Sequence, residues 1–144
     1  AARFGIKTLL IGKSEFENSN EYIEVLKNEG ITHIVLAGFL WKIPENLVKA
    51  YNNKIVNIHP ALLPAFGGKG MYGEKVHQAV INAGEKKSGI TIHLVDEHYD
   101  NGKTLFQTSV EVLSTDNPET LAEKIHALEH AHYPKVIAEW LKVK

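Results

Sequence analysis

The stretch Lys54–Gly73, KIVNIHPALLPAFGGKGMYG, decides how the chain is read. It opens with Ile55-Val56, β-branched residues that suit a pleated sheet. Residues i and i+2 of a strand point to one face, so Asn57 and His59 project together. Pro60 has no backbone N–H and ends the strand there. Two polar side chains thus stand at the carboxyl end of a strand that otherwise reads as core. Ligands of open α/β sheets bind outside that end of the strands. An amide NH2 donates two hydrogen bonds and an imidazolium also donates two, so the pair can converge on one developing oxyanion. Losing one such donor typically costs about 2.7–4 kcal/mol of transition-state stabilisation. Spacing alone is equally compatible with two side chains that merely satisfy backbone groups at a strand end.

Working outward, IKTLLIG (6–12) and ITHIVLAG (31–38) read as strands closed by glycine, and GITIHLVDE (89–97) and GKTLFQTSVEVL (102–113) as two more. Helical patterns separate them. NSNEYIEVLKNEG (18–30) has Ser19 or Asn20 as its cap, and PENLVKAYN (44–52) and GEKVHQAVINAG (73–84) are shorter. The last helix starts at Asn117, an N-cap, with Pro118 at N1 and an apolar stripe of Leu121, Ile125, Leu128, Val136 and Trp140. Pro134 is expected to kink or split it. Alternating strands and helices imply parallel strands joined by right-handed crossovers. The fold class predicted is α/β: a Rossmann-like, doubly wound, mostly parallel sheet with an antiparallel or edge strand near its C-terminal end, where EHYDNGK (97–103) reads as a turn.

The 144 residues suit one domain with one core. A net charge of -1 gives no reason to expect nucleic acid or an anionic membrane as partner. No cysteine is present, which rules out disulfides and thiolate chemistry and fits a reducing, cytoplasmic compartment. The apolar runs are too short to cross a bilayer, and AARFGIKT lacks the apolar core of a signal peptide. A carboxylate near His59 would favour its charged ring, and Asp96, Glu97 and Asp100 follow the next strand-like run. HALEH, His126 to His130, fits a short zinc pattern, H-x-x-E-H. With eight histidines in the chain and few residues left to supply a further ligand, surface helix residues are the better reading and no metal is expected. His93 is expected at the core or the site margin, in a structural role; His33, His77 and His132 belong to no constellation.

AGFLWKIPENLV, VNIHPALLPAFGG, GITIHLVDEHYDNGKTLFQ and LEHAHYPKVI together resemble, in order, the signature segments of the glycinamide ribonucleotide formyltransferases, a branch of the folate-dependent formyltransferase family. The most specific pieces are Asn57-x-His59-Pro60 with Leu62-Leu63-Pro64, and Asp100-x-Gly102. The resemblance implies formyl transfer from 10-formyltetrahydrofolate to the amine of glycinamide ribonucleotide, a step of purine synthesis, without a metal. By matching position, Asn57 would hold the formyl oxygen, His59 would be the general acid, and Asp100 would keep its ring charged. Leu40, Trp41, Lys42 and Ile43, with Asn57 and Asp96, Glu97, His98, Tyr99 and Asp100, would wrap the folate. His126, Ala127, Leu128 and Glu129 would lie on the ribonucleotide side. The glycine-rich loop Gly67–Gly73 is either a flap over the site or a plain connection. Family members begin with a strand and a phosphate-seating loop, which residues 1–144 do not resemble; the chain is therefore expected to be a single catalytic domain lacking that unit. A monomer or homodimer acting on small molecules is implied, with a formyltetrahydrofolate deformylase or an inactive folate- or nucleotide-binding module as the alternatives.

Overall fold

The computed structural model describes residues 1–18, 20–98 and 100–142; Ser19, one candidate cap, and Tyr99 lie outside the described residues. Its elements run α1 (Lys13–Asn18), α2 (Glu21–Asn28), β1 (Ile34–Leu36), α3 (Glu45–Ala50), β2 (Ile55–His59), α4 (Glu74–Asn82), β3 (Lys87–Leu94), β4 (Thr104–Glu111) and α5 (Pro118–Trp140). The strands form one sheet in the order β1-β2-β3-β4.

The α/β class and the antiparallel C-terminal end agree with the sequence, but the sheet is less parallel than expected. β1 and β2 pair parallel, with Ile34 opposite Ile55. β3 runs antiparallel to β2, with Asn57 opposite His93 and His59 opposite Thr91, and β4 is antiparallel to β3. A parallel crossover must carry the chain back to the amino end of the sheet. Here residues 60–86, including α4, leave from the carboxyl end of β2 and re-enter beside it, so β3 descends where β2 rose. IKTLLIG is a second departure. Among the described residues it joins no strand, and Leu10 is 97% exposed. A strand is stabilised by its ladder and its packed face more than by propensity, and residues 6–12 pair with no strand of the described sheet.

The two faces of the sheet carry separate clusters. Val56, Ile58, Ile90 and Ile92 pack with Val80 of α4 and with Leu121, Ile125 and Tyr133 of α5. Ile55 and Leu36 pack on the other face with Phe16, Ile23, Ile43, Leu47, Val48 and Tyr51. Ile55, Asn57 and His59 share this second face. The strand is therefore apolar while it lies over α1–α3 and polar once it passes beyond them.

α5 begins as predicted. Asn117 Oδ1 accepts from the Thr120 amide at 2.9 Å and the Asn117 amide donates to Thr120 Oγ1 at 3.0 Å, a reciprocal cap. Pro134, however, does not split the helix, which continues to Trp140. Losing one backbone hydrogen bond at a proline costs about 3 kcal/mol in an isolated helix. Tertiary contacts on both sides outweigh it: Val136, Ile137 and Trp140 pack on the core beyond the proline, and Tyr133 anchors the turn before it. The Tyr133 hydroxyl donates to the Leu36 carbonyl at 2.7 Å and lies 3.3 Å from the Val56 carbonyl, which ties α5 to the start of the β1–β2 cleft. Burial first, and then Glu129, push this phenol far above its ordinary range, so it remains a donor at any working pH. Tyr133→Phe should cost about 1–3 kcal/mol, because a buried carbonyl loses its donor. A shift of the urea unfolding midpoint with an unchanged m-value checks this; an unshifted midpoint would show the contact to be dispensable.

Candidate active site

Three segments build the site. β2 supplies Asn57 and His59, β3 supplies His93, and the β3–β4 connection supplies Asp100. Because β3 is antiparallel, its carboxyl end does not lie beside that of β2. Asp100 reaches the site from the β3–β4 connection, with its backbone in the left-handed region at φ 53°. The motif Asp100-x-Gly102 then has a steric reason: a Cβ at Gly102 would stand 1.7 Å from the Leu94 carbonyl oxygen, so only glycine lets the connection close this tightly.

The Asp100 carboxylate lies between two imidazoles. Its Oδ2 is 3.6 Å from His59 Nδ1, and its Oδ1 is 3.5 Å from His93 Nε2. The Gly68 amide donates to Oδ2 at 2.9 Å. His93 is oriented by its own backbone, with Nδ1 donating to the Leu94 carbonyl at 2.9 Å. His93 Nε2 faces both Asp100 Oδ1 and Asn57 Nδ2, the latter at 3.3 Å, and Asn57 also lines the cleft, where its NH2 has a second hydrogen for a ligand. His59 Nε2 donates to the Phe66 carbonyl at 2.7 Å. His59 and His93 are 4% and 2% exposed.

Burial is the strongest influence on His59 and lowers its pKa below the ordinary 6.5, although Asp100 and the Phe66 carbonyl act to raise it. Burial thus outweighs the raising by Asp100 that the resemblance implies. Burial also acts to raise the Asp100 carboxyl, but the His93 and Gly68 hydrogen bonds and the neighbouring imidazoles together hold it below its usual value. Asp100 stays ionised.

These groups open on a cleft of about 630 Å³. Leu40, Trp41, Lys42 and Ile43 line one side, and Asp96, His98 and Asp100 another. Glu97 does not join them; it turns to a neighbouring groove and comes within 3.9 Å of Lys49 Nζ. On α5, His126 and Glu129 line the cleft, but Ala127 and Leu128 do not. A helix turns about 100° per residue, so positions 126, 129, 130 and 133 share a face while 127 and 128 point away. Leu128 packs on the core instead. The loop Gly68–Gly73 forms a further wall. Gly67 admits it, since a Cβ there would lie 2.5 Å from Leu63 Cδ2 and 3.3 Å from Asp100 Cβ.

Sequence reasoning gave His93 a structural role and His77 none. His77, on α4, lines the cleft at 3% exposure, and its Nδ1 has no hydrogen-bond partner among the described residues. Neither position carries a local signal. His93 becomes a candidate only once the antiparallel register sets it opposite Asn57. Among the described residues no cluster of three or more His, Asp or Glu is arranged to hold a metal ion.

A formyl transferase family profile matches residues 1–137. The chain belongs to the formyl transferase family. It is 47% identical over 138 residues to a protein of Arabidopsis thaliana named phosphoribosylglycinamide formyltransferase, chloroplastic, covering 92% of this chain and 47% of that one. It is 39% identical to the phosphoribosylglycinamide formyltransferase of Bacillus subtilis, over 98% of this chain and 72% of that one. A crystal structure of the Streptococcus pneumoniae phosphoribosylglycinamide formyltransferase superposes with a TM-score of 0.85 at 33% identity, covering 97% of this chain and 77% of that one. A formyltetrahydrofolate deformylase from Pseudomonas syringae is more distant, with a TM-score of 0.74 at 25% identity over 87% of this chain and 39% of that one. The chain spans about half the length of the plant relatives it matches, 47% and 44%.

The acid response of the family member's fold follows from the shifted groups. Burial lowers the pKa values of His59 and His77 in the folded state. Below the ordinary value of 6.5 the unfolded chain takes up these protons while the fold resists them, so stability falls as pH falls. Asp100, also lowered, adds a second decline below the usual carboxylate value of 3.8. Tm should drop between pH 7 and pH 5, and His77→Gln should flatten part of that drop. A Tm that holds or rises over this interval would contradict the assigned burial.

Proposed function

We propose that the protein transfers a formyl group from 10-formyltetrahydrofolate to the amine of glycinamide ribonucleotide, the activity its relatives are named for. The convergence of Asn57, His59 and Asp100 at one cleft supports this reading most directly. Leu40, Trp41, Ile43 and Val95 give that cleft apolar walls suited to a flat heteroaromatic ring, with Asp96 and backbone groups at its edge for ring nitrogens. His126 and Glu129 stand at the α5 wall, where the ribonucleotide would lie. Burial raises the Glu129 carboxyl, while His126 and His130 act to lower it.

The reaction forms a bond from the substrate nitrogen to the formyl carbon and breaks that carbon's bond to the folate nitrogen. Negative charge grows on the formyl oxygen before that break. An Asn57 amide hydrogen meets it, and His59 adds the second donor from Nε2 once the oxygen takes the place of the Phe66 carbonyl. Asp100, ionised and facing Nδ1 of that ring, accepts the proton released by the attacking amine, directly or through water, for return to the leaving nitrogen. No side chain is acylated. On this reading the enzyme works in the cytoplasm, or in a plastid if the chain shares the compartment of its plant relatives. Hydrolysis of the same folate, suggested by the deformylase neighbour, needs only water in place of the amine.

Product analysis separates the two: formate should not be released when glycinamide ribonucleotide is left out, and release at an equal rate without it would favour hydrolysis. His59→Ala should lower kcat by about 10²–10⁴ with little change in formyl-folate affinity. Asn57→Ala should lower it by about 10²–10³. Equal losses of turnover and folate binding would remove the catalytic roles.

A further inference from the structure

The contact between His59 and Phe66 has no part in the family resemblance, yet it decides where the catalytic proton sits. A carbonyl can only accept, so the 2.7 Å contact requires a hydrogen on His59 Nε2. Without it the neutral ring would choose the other tautomer. Nδ1 lies 3.6 Å from an ionised carboxylate and would carry the proton toward Asp100. The other titratable groups facing His59 are His93 from β3 and His77 from α4. Neither accepts from Nε2.

The carbonyl is aimed by an unusual backbone. Phe66 has φ 55°, a left-handed conformation that is unfavourable for a non-glycine residue. Two glycines follow it, so the chain had residues better suited to that geometry immediately beside it. The phenyl ring holds the strained position by packing against the core cluster of β2, β3 and α5. Strain kept in place by packing next to reactive groups is a sign of a functional constraint.

We propose that Phe66 is a positioning residue whose left-handed backbone turns its carbonyl onto His59 Nε2, so that the proton is loaded on the nitrogen that will serve the formyl oxygen before substrate arrives. The formyl oxygen then replaces one acceptor by another, and the imidazole needs neither rotation nor a change of tautomer. The kinetic consequence rests on the formyl-transfer reading; the tautomer assignment does not.

The two are tested separately by ¹⁵N NMR of the histidine rings and by turnover, on the same proteins. In the wild type, neutral His59 should carry its proton on Nε2; a proton on Nδ1 overturns the proposal without any variant being made. Phe66→Val and Phe66→Gly both remove the ring, but only valine is excluded from the left-handed region. In Phe66→Val the Nε2–H population should fall about ten-fold and kcat should fall with it. Phe66→Gly should keep the wild-type tautomer and turnover. Identical tautomers in the two variants would overturn the assignment. Expected tautomers with no formyl transfer in any protein, wild type included, would instead sink the reading of the reaction and leave the Phe66 assignment standing.

Discussion

The site depends on a single carboxylate, its side chain 11% exposed. Asp100 sits between two imidazoles that are almost wholly inaccessible to water, and it accepts from the Gly68 amide. An ionised carboxylate in so dry a place is tolerated only with hydrogen bonds and charge partners around it. Those partners come from three directions: β2 through His59, β3 through His93, and the glycine-rich loop through Gly68. Each is held to the others because each is held to Asp100. The arrangement also reaches Asn57, whose amide approaches the same His93 Nε2 that faces the carboxylate. A change at residue 100 is therefore felt at Asn57, His59 and His93.

The fold makes this possible by using one strand twice. β2 contributes Ile55 to the cluster under α1–α3, contributes Val56 and Ile58 to the cluster under α5, and contributes Asn57 and His59 to the cleft. Apolar packing on both faces holds the strand rigid where its polar side chains must be placed accurately. α5 closes the arrangement from the side. Its Tyr133 hydroxyl is bonded to the Leu36 carbonyl, and on the same helical face His126 and Glu129 line the cleft. Packing and catalysis share residues here, so substitutions in α5 far from the reacting atoms act on the shape of the cleft.

Much of this was legible in the chain itself. The Asn57-x-His59-Pro60 pattern implied two side chains on one face at a strand end, and they are there. Asn117 capped the last helix as its chemistry demands. The partnership of Asp100 with His59 came from family resemblance, and the structure brings the two within 3.6 Å. What sequence could not supply is non-local. The direction of β3 depends on where residues 60–86 return to the sheet, and His93 becomes a neighbour of Asn57 only through that direction. IKTLLIG has the composition of a strand but no ladder among the described residues. Pro134 reads as a break, yet packing on both sides carries the helix through it. Ala127 and Leu128 fell inside a matched motif, but the turn of the helix points them elsewhere.

The account stands or falls on whether His59 and Asp100 act as one unit. A double-mutant cycle on kcat/KM for formyl transfer, with His59→Ala, Asp100→Asn and the combined variant, measures this directly. If Asp100 works by serving the imidazole beside it, the double variant should be no slower than the slower single one. Losses that simply multiply would mean that the two residues act independently, and the carboxylate would lose its place at the centre of the site.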